Sequence, residues 1–405
     1  MSSANTSWTA KSATIVALCF VTNMVDGMDV NIMSFIRGAL TKDWAVHDSV
    51  MGYVMSAGTL GMGFGALLIA PFADRFGRKP VILVALSLMS VGMIACGFVH
   101  NIEWLMAARL IVGMGIGTAL ATMAALAADS APEGKKDMAV GMIQAGFPLA
   151  AVGTGFIVAY NVATYGWQNL LLWAGVVTVL LLPTAWLILP DEPAPADGEQ
   201  AAVGSALPRL FSPQFRARTV LLWTAVFMGL MVLYSMLSWI TKLATSAGLS
   251  EADGIYAGAF YNIGAFFGTI SMGLLASRIR PTILVPVLLS CAAVAMLIFG
   301  NAQMSVTGAL AMAFVIGLTL QGGYNGMWPI AAGSYPTATR ATGIGWAMGI
   351  GRGGAVVGPI FAGYLLAAQV PLPGILAVYC VPLLLCAFCA WMIGRGAAKG
   401  GVAAV

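Results

Sequence analysis

Long apolar blocks separated by short polar breaks run the length of the chain. Twelve blocks are distinguishable, at roughly 13–40, 50–73, 80–99, 103–128, 138–160, 167–189, 216–243, 252–277, 282–300, 306–332, 339–367 and 372–394. Each approaches or exceeds the ~20 residues that a helix needs to cross a hydrocarbon core about 30 Å thick. None shows the alternation of a membrane barrel strand. In lipid every backbone polar group must be bonded internally, so the blocks predict helices. The longest polar break, DEPAPADGEQAAVG (191–204), divides the twelve into six and six. The pattern therefore predicts an all-α membrane protein: an N-terminal six-helix bundle over 1–190, a cytoplasmic linker over 191–215 and a C-terminal six-helix bundle over 216–405.

Composition agrees with the pattern. Hydrophobic residues make up 60% and charged residues 8%, against about 25% charged in an ordinary soluble domain. The 49 glycines suit helices that pack closely in lipid. With both termini in the cytoplasm, 14 of the 19 Lys and Arg face that side and 3 (Arg37, Lys42 and Lys242) face the other, while Arg109 and Arg352 stay inside spans. This is the positive-inside asymmetry. It accounts for the net charge of +4 without nucleic acid. The six cysteines lie in apolar blocks with no CxxC spacing, and the two histidines, His47 and His100, fall in loops. No metal site, cofactor or catalytic constellation is expected, and hence no enzyme. The polar stretch Met1–Lys11 leads into a span too long and too acidic for a signal-peptide core. The short loops point to a bacterial inner membrane.

The two halves repeat. APFADR (70–75) matches GLLASR (273–278), and ALAADSAPEGKKDMAVG (125–141) matches PIAAGSYPTATRATGIG (329–345), with Gly113 falling on Gly317. Parallel six-span repeats are the layout of transporters that rock two bundles about a midplane site.

Four charged residues are expected well inside spans: Asp26, Asp29, Arg109 and Arg352. Intramembrane ionisable groups are costly, and they mark ion or substrate paths. Asp26 and Asp29 stand i, i+3 in NMVDGMDVN, on one helix face. Like charges that close favour holding a proton, the property a proton carrier needs. The other reading is that both acids pair with arginines to hold the bundle. Arg109 opens RLIVGMGIG, whose glycines sit in an apolar helix and are no nucleotide fingerprint. It either couples to the first-span acids or snorkels. Arg352, in WAMGIGRGGAVVGP, can grip a planar carboxylate with two hydrogen bonds or pair with Asp26 or Asp29.

Aromatic and amide residues gather in the second half: Tyr234, Trp239, Tyr261, Asn262, Gln321, Tyr324, Asn325, Trp328 and Trp346. Rings stack on flat ligands and amides bond their hydroxyls; interface belts and packing account for the same residues. The charged loop DRFGRK, with Asp74, Arg75, Arg78 and Lys79, cannot reach a midplane substrate, but it can hold a gate closed.

These residues resemble the major facilitator superfamily over nearly the whole chain. ADRFGRK is similar to its loop between the second and third spans, with Ala70 where Gly is usual. RLIVGMGIG resembles the fourth-span motif, and SYPTATRATGIG the loop after the tenth. DGMD resembles the DG-aromatic-D signature of the aromatic acid:proton symporters, with Met28 in the aromatic position. The resemblance implies import of benzoate-type and hydroxybenzoate-type anions with a proton. It places Asp26, Asp29, Asp74, Arg109, Asp129, Arg340 and Arg352 where that family has functional charges. Related symporters carry muconate, sialate and other carboxylates, so a diacid or sugar acid is the alternative substrate. An exporter is disfavoured, because GFPLAAVGTG (146–155) lacks the antiporter pattern of the fifth span. A transporter-like sensor would need a signalling domain. The expected partners are a small organic anion, a proton and the bilayer, and the expected state is a monomer.

Overall fold

The computed structural model describes residues 8–132, 135–190 and 207–399. All regular structure among them is helical. In chain order the helices are α1 (Ala10–Trp44), α2 (Asp48–Phe64, continued by a π-helical turn Gly65–Ile69), α3 (Phe72–Phe76), α4 (Arg78–Phe98), α5 (Ile102–Ser130), α6 (Lys136–Ile188), α7 (Leu207–Leu210), α8 (Arg216–Ser246), α9 (Glu251–Ala276), α10 (Pro281–Asn301), α11 (Val306–Asn325), α12 (Met327–Ser334), α13 (Thr337–Ala367) and α14 (Leu372–Lys399).

Eleven helical segments among the described residues are long and apolar enough to cross a membrane, where the sequence pattern predicts twelve. The difference lies in α6. Its 53 residues would run about 80 Å at 1.5 Å per residue, far more than one crossing. Gly166 interrupts it with φ 77° and ψ 160°, a conformation that L side chains rarely adopt. The fifth and sixth spans are thus two crossings joined by a one-residue hinge. The expected tenth span is also broken, at Gly326, into α11 and α12.

The chain forms two compact units. The first comprises residues 1–46 and 53–198, the second 47–52 and 199–405, so the first turn of α2 groups with the second unit. The expected linker over 191–215 lies outside the described residues as far as 206; from 207 it carries α7. In the first unit α1 packs on α6 and α5, and α4 on α5 and α6. In the second α8 packs on α13, α14 and α9, with α9 on α11 and α10 on α14 and α11. Leu67, Leu187 and Val381 are more than half exposed, as lipid-facing side chains are and water-facing ones rarely are.

The internal repeat reappears as backbone contact. A Cβ on Gly61 would lie 2.2 Å from the Leu110 carbonyl oxygen, and one on Gly264 2.0 Å from that of Phe314. Gly65 meets Met114 at 2.0 Å, and Gly268 meets Leu318 at 2.3 Å. Gly113 meets Gly58 and Gly317 meets Tyr261, each at 1.9 Å. The same seam therefore joins α2 to α5 in the first unit and α9 to α11 in the second. The RLIVGMGIG glycines are helix-contact residues, as small residues are in membrane bundles.

Candidate functional site

Each unit holds its own group of intramembrane charges. In the first, α1 begins at a capping box, where Thr9 and Ser12 bond reciprocally, and carries Asp26 and Asp29 into the core. Asp29 is 0% exposed and Asp26 4%. Gly27 between them turns towards α6: a Cβ there would lie 2.1 Å from the Phe147 carbonyl oxygen. Asn31 bonds back to the Gly27 carbonyl at 2.8 Å. The missing side chain at Gly27 thus admits backbone rather than ligand.

Arg109, 3% exposed on α5, reaches α1. Its Nη2 donates to the backbone carbonyl of Asp29 at 3.1 Å, and its Nη1 to the sulfur of Met93 at 3.4 Å. Gly58 leaves the room: a Cβ there would stand 3.2 Å from the guanidinium. Asp29 feels the charges of both Arg109 and Asp26. Both of its carboxylate oxygens are nevertheless buried with no hydrogen-bond partner among the described residues. The arginine holds the helix at Asp29 and leaves the carboxylate itself unbonded.

Sequence reasoning missed Arg37. The loop-charge count sets it on the outer side with Lys42, near the end of the span 13–40, but the structure buries it in α1 at 3% exposure. Its position eight residues beyond Asp29, inside an unbroken helical block, was the available signal. Met93, as a partner of Arg109, left no signal at all.

In the second unit the half-buried Arg352 of α13 donates from Nη1 to the Tyr234 hydroxyl of α8 at 3.0 Å. Tyr324 of α11 feels both groups electrostatically. These three expected residues come together. Gln321 donates to Asn325 at 3.2 Å, and Asn325 to Thr269 of α9 at 2.9 Å, making a half-buried amide relay. Tyr261 is 1% exposed, with its hydroxyl unpartnered among the described residues. Asn262 is buried and donates within its own helix to Gly258. Trp239 is fully buried, and its indole donates to the Pro359 carbonyl at 3.0 Å. Trp328 and Trp346 are each 38% exposed, and Trp346 stacks on Trp223 at 6.2 Å.

The expected gating residues lie at helix ends. Asp74 and Arg75 are exposed on the short α3, where the Arg75 guanidinium lies over the Phe76 ring. Gly77, at φ 86°, makes the turn into α4. Arg78 pairs with Asp129 of α5. Lys79 sits over the Trp186 ring, 5.6 Å from its centroid. In the second unit Arg340 is exposed and donates to the Tyr335 carbonyl at 3.4 Å. The Tyr335 hydroxyl donates in turn to Thr219, whose hydroxyl donates to the Leu210 carbonyl.

Comparison with known proteins agrees with this architecture. The family profile described as Major Facilitator Superfamily matches residues 19–348. The chain is 31% identical over 388 residues to the gallate transporter of Pseudomonas putida, spanning 89% of this chain and 86% of that protein. It is 32% identical to the 4-hydroxybenzoate transporter PcaK of Pseudomonas aeruginosa, spanning 87% and 86%. It is 30% identical to the 3-(3-hydroxy-phenyl)propionate transporter of Escherichia coli, spanning 89% of each. Among solved structures, a bacterial homolog of the human lysosomal transporter Spinster, inward-facing and unoccupied, superposes with a TM-score of 0.79 at 16% identity, over 97% of this chain and 99% of that one.

Proposed function

The chain belongs to the major facilitator superfamily, and we propose that it imports a small aromatic carboxylate together with a proton. The relatives named above are transporters of gallate, 4-hydroxybenzoate and 3-(3-hydroxy-phenyl)propionate, which supports a substrate with one ring, one carboxylate and ring hydroxyls. The observation that carries the coupling is Asp29, whose two buried oxygens have no donor among the described residues. A buried charge without hydrogen bonds is expensive. A proton on Asp29 removes that charge, and with it the repulsion from Asp26. Arg109 keeps the turn of α1 in place whether or not Asp29 is charged, because it holds the backbone carbonyl.

Arg352 supplies the positive charge for the anion, oriented by the Tyr234 hydroxyl. Loading on the outer side adds one proton to Asp29 and one carboxylate to Arg352, so both groups are neutralised together. Reorientation then exposes them to the cytoplasm, where the proton leaves Asp29 and the anion follows. The reading needs no cofactor besides the proton. It places a monomer in a bacterial inner membrane with both termini in the cytoplasm, and gives the Arg78–Asp129 pair and Arg340 the part of gate contacts.

The test is uptake into proteoliposomes under an imposed inward proton gradient, with benzoate, 4-hydroxybenzoate, gallate, muconate and a sugar acid as candidates. The expected result is gradient-driven accumulation of an aromatic acid. Asp29→Asn abolishes accumulation but retains exchange of labelled for unlabelled acid, which moves no net proton. Arg352→Ala raises KM by roughly 10- to 100-fold, the loss of a charge-assisted hydrogen bond worth about 1.5–3 kcal/mol. Proton-driven uptake left intact in Asp29→Asn would remove Asp29 as the carrier. Accumulation of muconate or the sugar acid alone would replace the aromatic substrate.

A further inference from the structure

Helix α13 carries Arg352 seven residues before Pro359. A proline inside a helix lacks the N–H for the carbonyl four residues back, here that of Ala355, and its ring presses on that carbonyl. The turn joining the Arg352 segment to the rest of α13 is therefore where the helix bends most easily. At this turn two neighbours grip the α13 backbone. Trp239 of α8 donates from its indole to the Pro359 carbonyl at 3.0 Å, and Tyr379 of α14 donates from its hydroxyl to the Gly358 carbonyl at 2.7 Å. Both side chains are 0% exposed.

The turns before the proline lie backbone to backbone on α8. A Cβ on Gly354 would stand 2.1 Å from the Phe227 carbonyl oxygen, and one on Gly358 2.3 Å from that of Met231. The same α8 also carries Tyr234, which accepts from Arg352. Helix α8 thus holds α13 at two levels, at the guanidinium and at the bend. An apolar ring of the same size would fill the sites of Trp239 and Tyr379; what the N–H and O–H add is direction at the bend.

We propose that Trp239 and Tyr379 are positioning residues, which set the bend of α13 at Pro359 and thereby the place of the Arg352 guanidinium, on which affinity for the carboxylate of the transported acid depends. This rests on the reading of Arg352 as the anion-binding residue. It gives Trp239 a part at one remove from the substrate, in place of the direct ring contact expected from its sequence.

The test uses Trp239→Phe and Tyr379→Phe, which keep a ring and delete the donor, with 4-hydroxybenzoate uptake into proteoliposomes as the readout. Saturable wild-type uptake whose KM rises at least about tenfold in Arg352→Ala establishes the underlying reading first; if the wild type takes up no carboxylate, that reading fails and this inference with it. Each ring variant is then expected to raise KM about fivefold, the worth of about one hydrogen bond, with the maximal rate within about twofold of wild type. In an Arg352→Lys background, where no planar fork needs aiming, the same substitutions are expected to change KM by less than about twofold. An unchanged KM in the two variants overturns the proposal. So does an equal KM rise in the Arg352→Lys background, which would mean general loosening. Should Trp239→Phe fail to insert, Tyr379→Phe, which loses a single oxygen, decides.

Discussion

At the scale of single residues, the least replaceable positions are those where a side chain has no room or a charge has no partner. Gly27 is the first kind. A methyl group there would overlap the Phe147 carbonyl, which belongs to helix backbone and cannot swing aside. Gly27→Ala is expected to separate α1 from α6 and destabilise the fold by at least the ~1–3 kcal/mol typical of overpacking, read as a lower unfolding temperature in detergent. Gly77 is different: its φ of 86° with ψ of 162° is a backbone conformation open essentially to glycine alone, and it costs an L residue about 1–3 kcal/mol. Gly77→Ala should therefore lose stability by that amount in the same measurement and leave the KM for substrate unchanged. Asp29 is the second kind. Its type and burial follow from the sequence; the absence of any donor to its oxygens among the described residues does not. Arg109, the obvious partner in sequence, instead bonds the Asp29 carbonyl and the Met93 thioether.

At the scale of elements, helix ends explain the charged loop better than the loop itself does. Arg78 opens α4 and Asp129 sits in the last turn of α5. Each stands at the wrong pole of its helix, a cation at the positive end and an anion at the negative end. Their pairing offsets both. Reversing either charge alone, Arg78→Asp or Asp129→Arg, is expected to abolish the pair and lower the transport rate. The double swap restores the pair and also suits both helix dipoles, so its unfolding temperature should equal or exceed that of wild type. A double variant no better than the singles would show that more than charge pairing is read at this site. The same scale shows why one element boundary escaped the apolar pattern. Gly326 divides the expected tenth span with a near-helical backbone (φ −68°, ψ −11°), so no long polar break marks it, whereas the turn at Gly166 falls in the break expected between 160 and 167 and Gly77 lies among the charges of DRFGRK.

At the scale of the whole molecule, the two units share a packing seam but differ in their chemistry. The glycine contacts of α2 with α5 recur almost residue for residue between α9 and α11, while the acids lie in the first unit and Arg352 with its tyrosines in the second. Under the proposed coupling the working parts are therefore not duplicated. The expected consequence is a sign: accumulation falls as the outside pH is raised towards the inside pH, because fewer protons are available to load Asp29. Exchange in Asp29→Asn, which bypasses loading, should stay flat over the same range. Parallel pH profiles in the two proteins would place the titrating group elsewhere.

The sequence by itself determined the helical membrane fold and placed Asp26, Asp29, Arg109 and Arg352 inside its spans. These follow from hydrophobic block length, loop charge and the repeat, all of which are local along the chain. It also sufficed to draw Arg352, Tyr234 and Tyr324 into one list, though with no means of separating them from Trp239, Asn262 and Trp346. Only the tertiary structure made that separation, and only it buried Arg37, sent Arg109 to the carbonyl of Asp29 rather than to its carboxylate, and turned the Trp239 indole onto Pro359. The physical reason is one of range. Whether a residue enters the membrane depends on its neighbours in sequence, but which atom its side chain bonds depends on how closely two distant helices approach, and here glycines on facing helices set that approach.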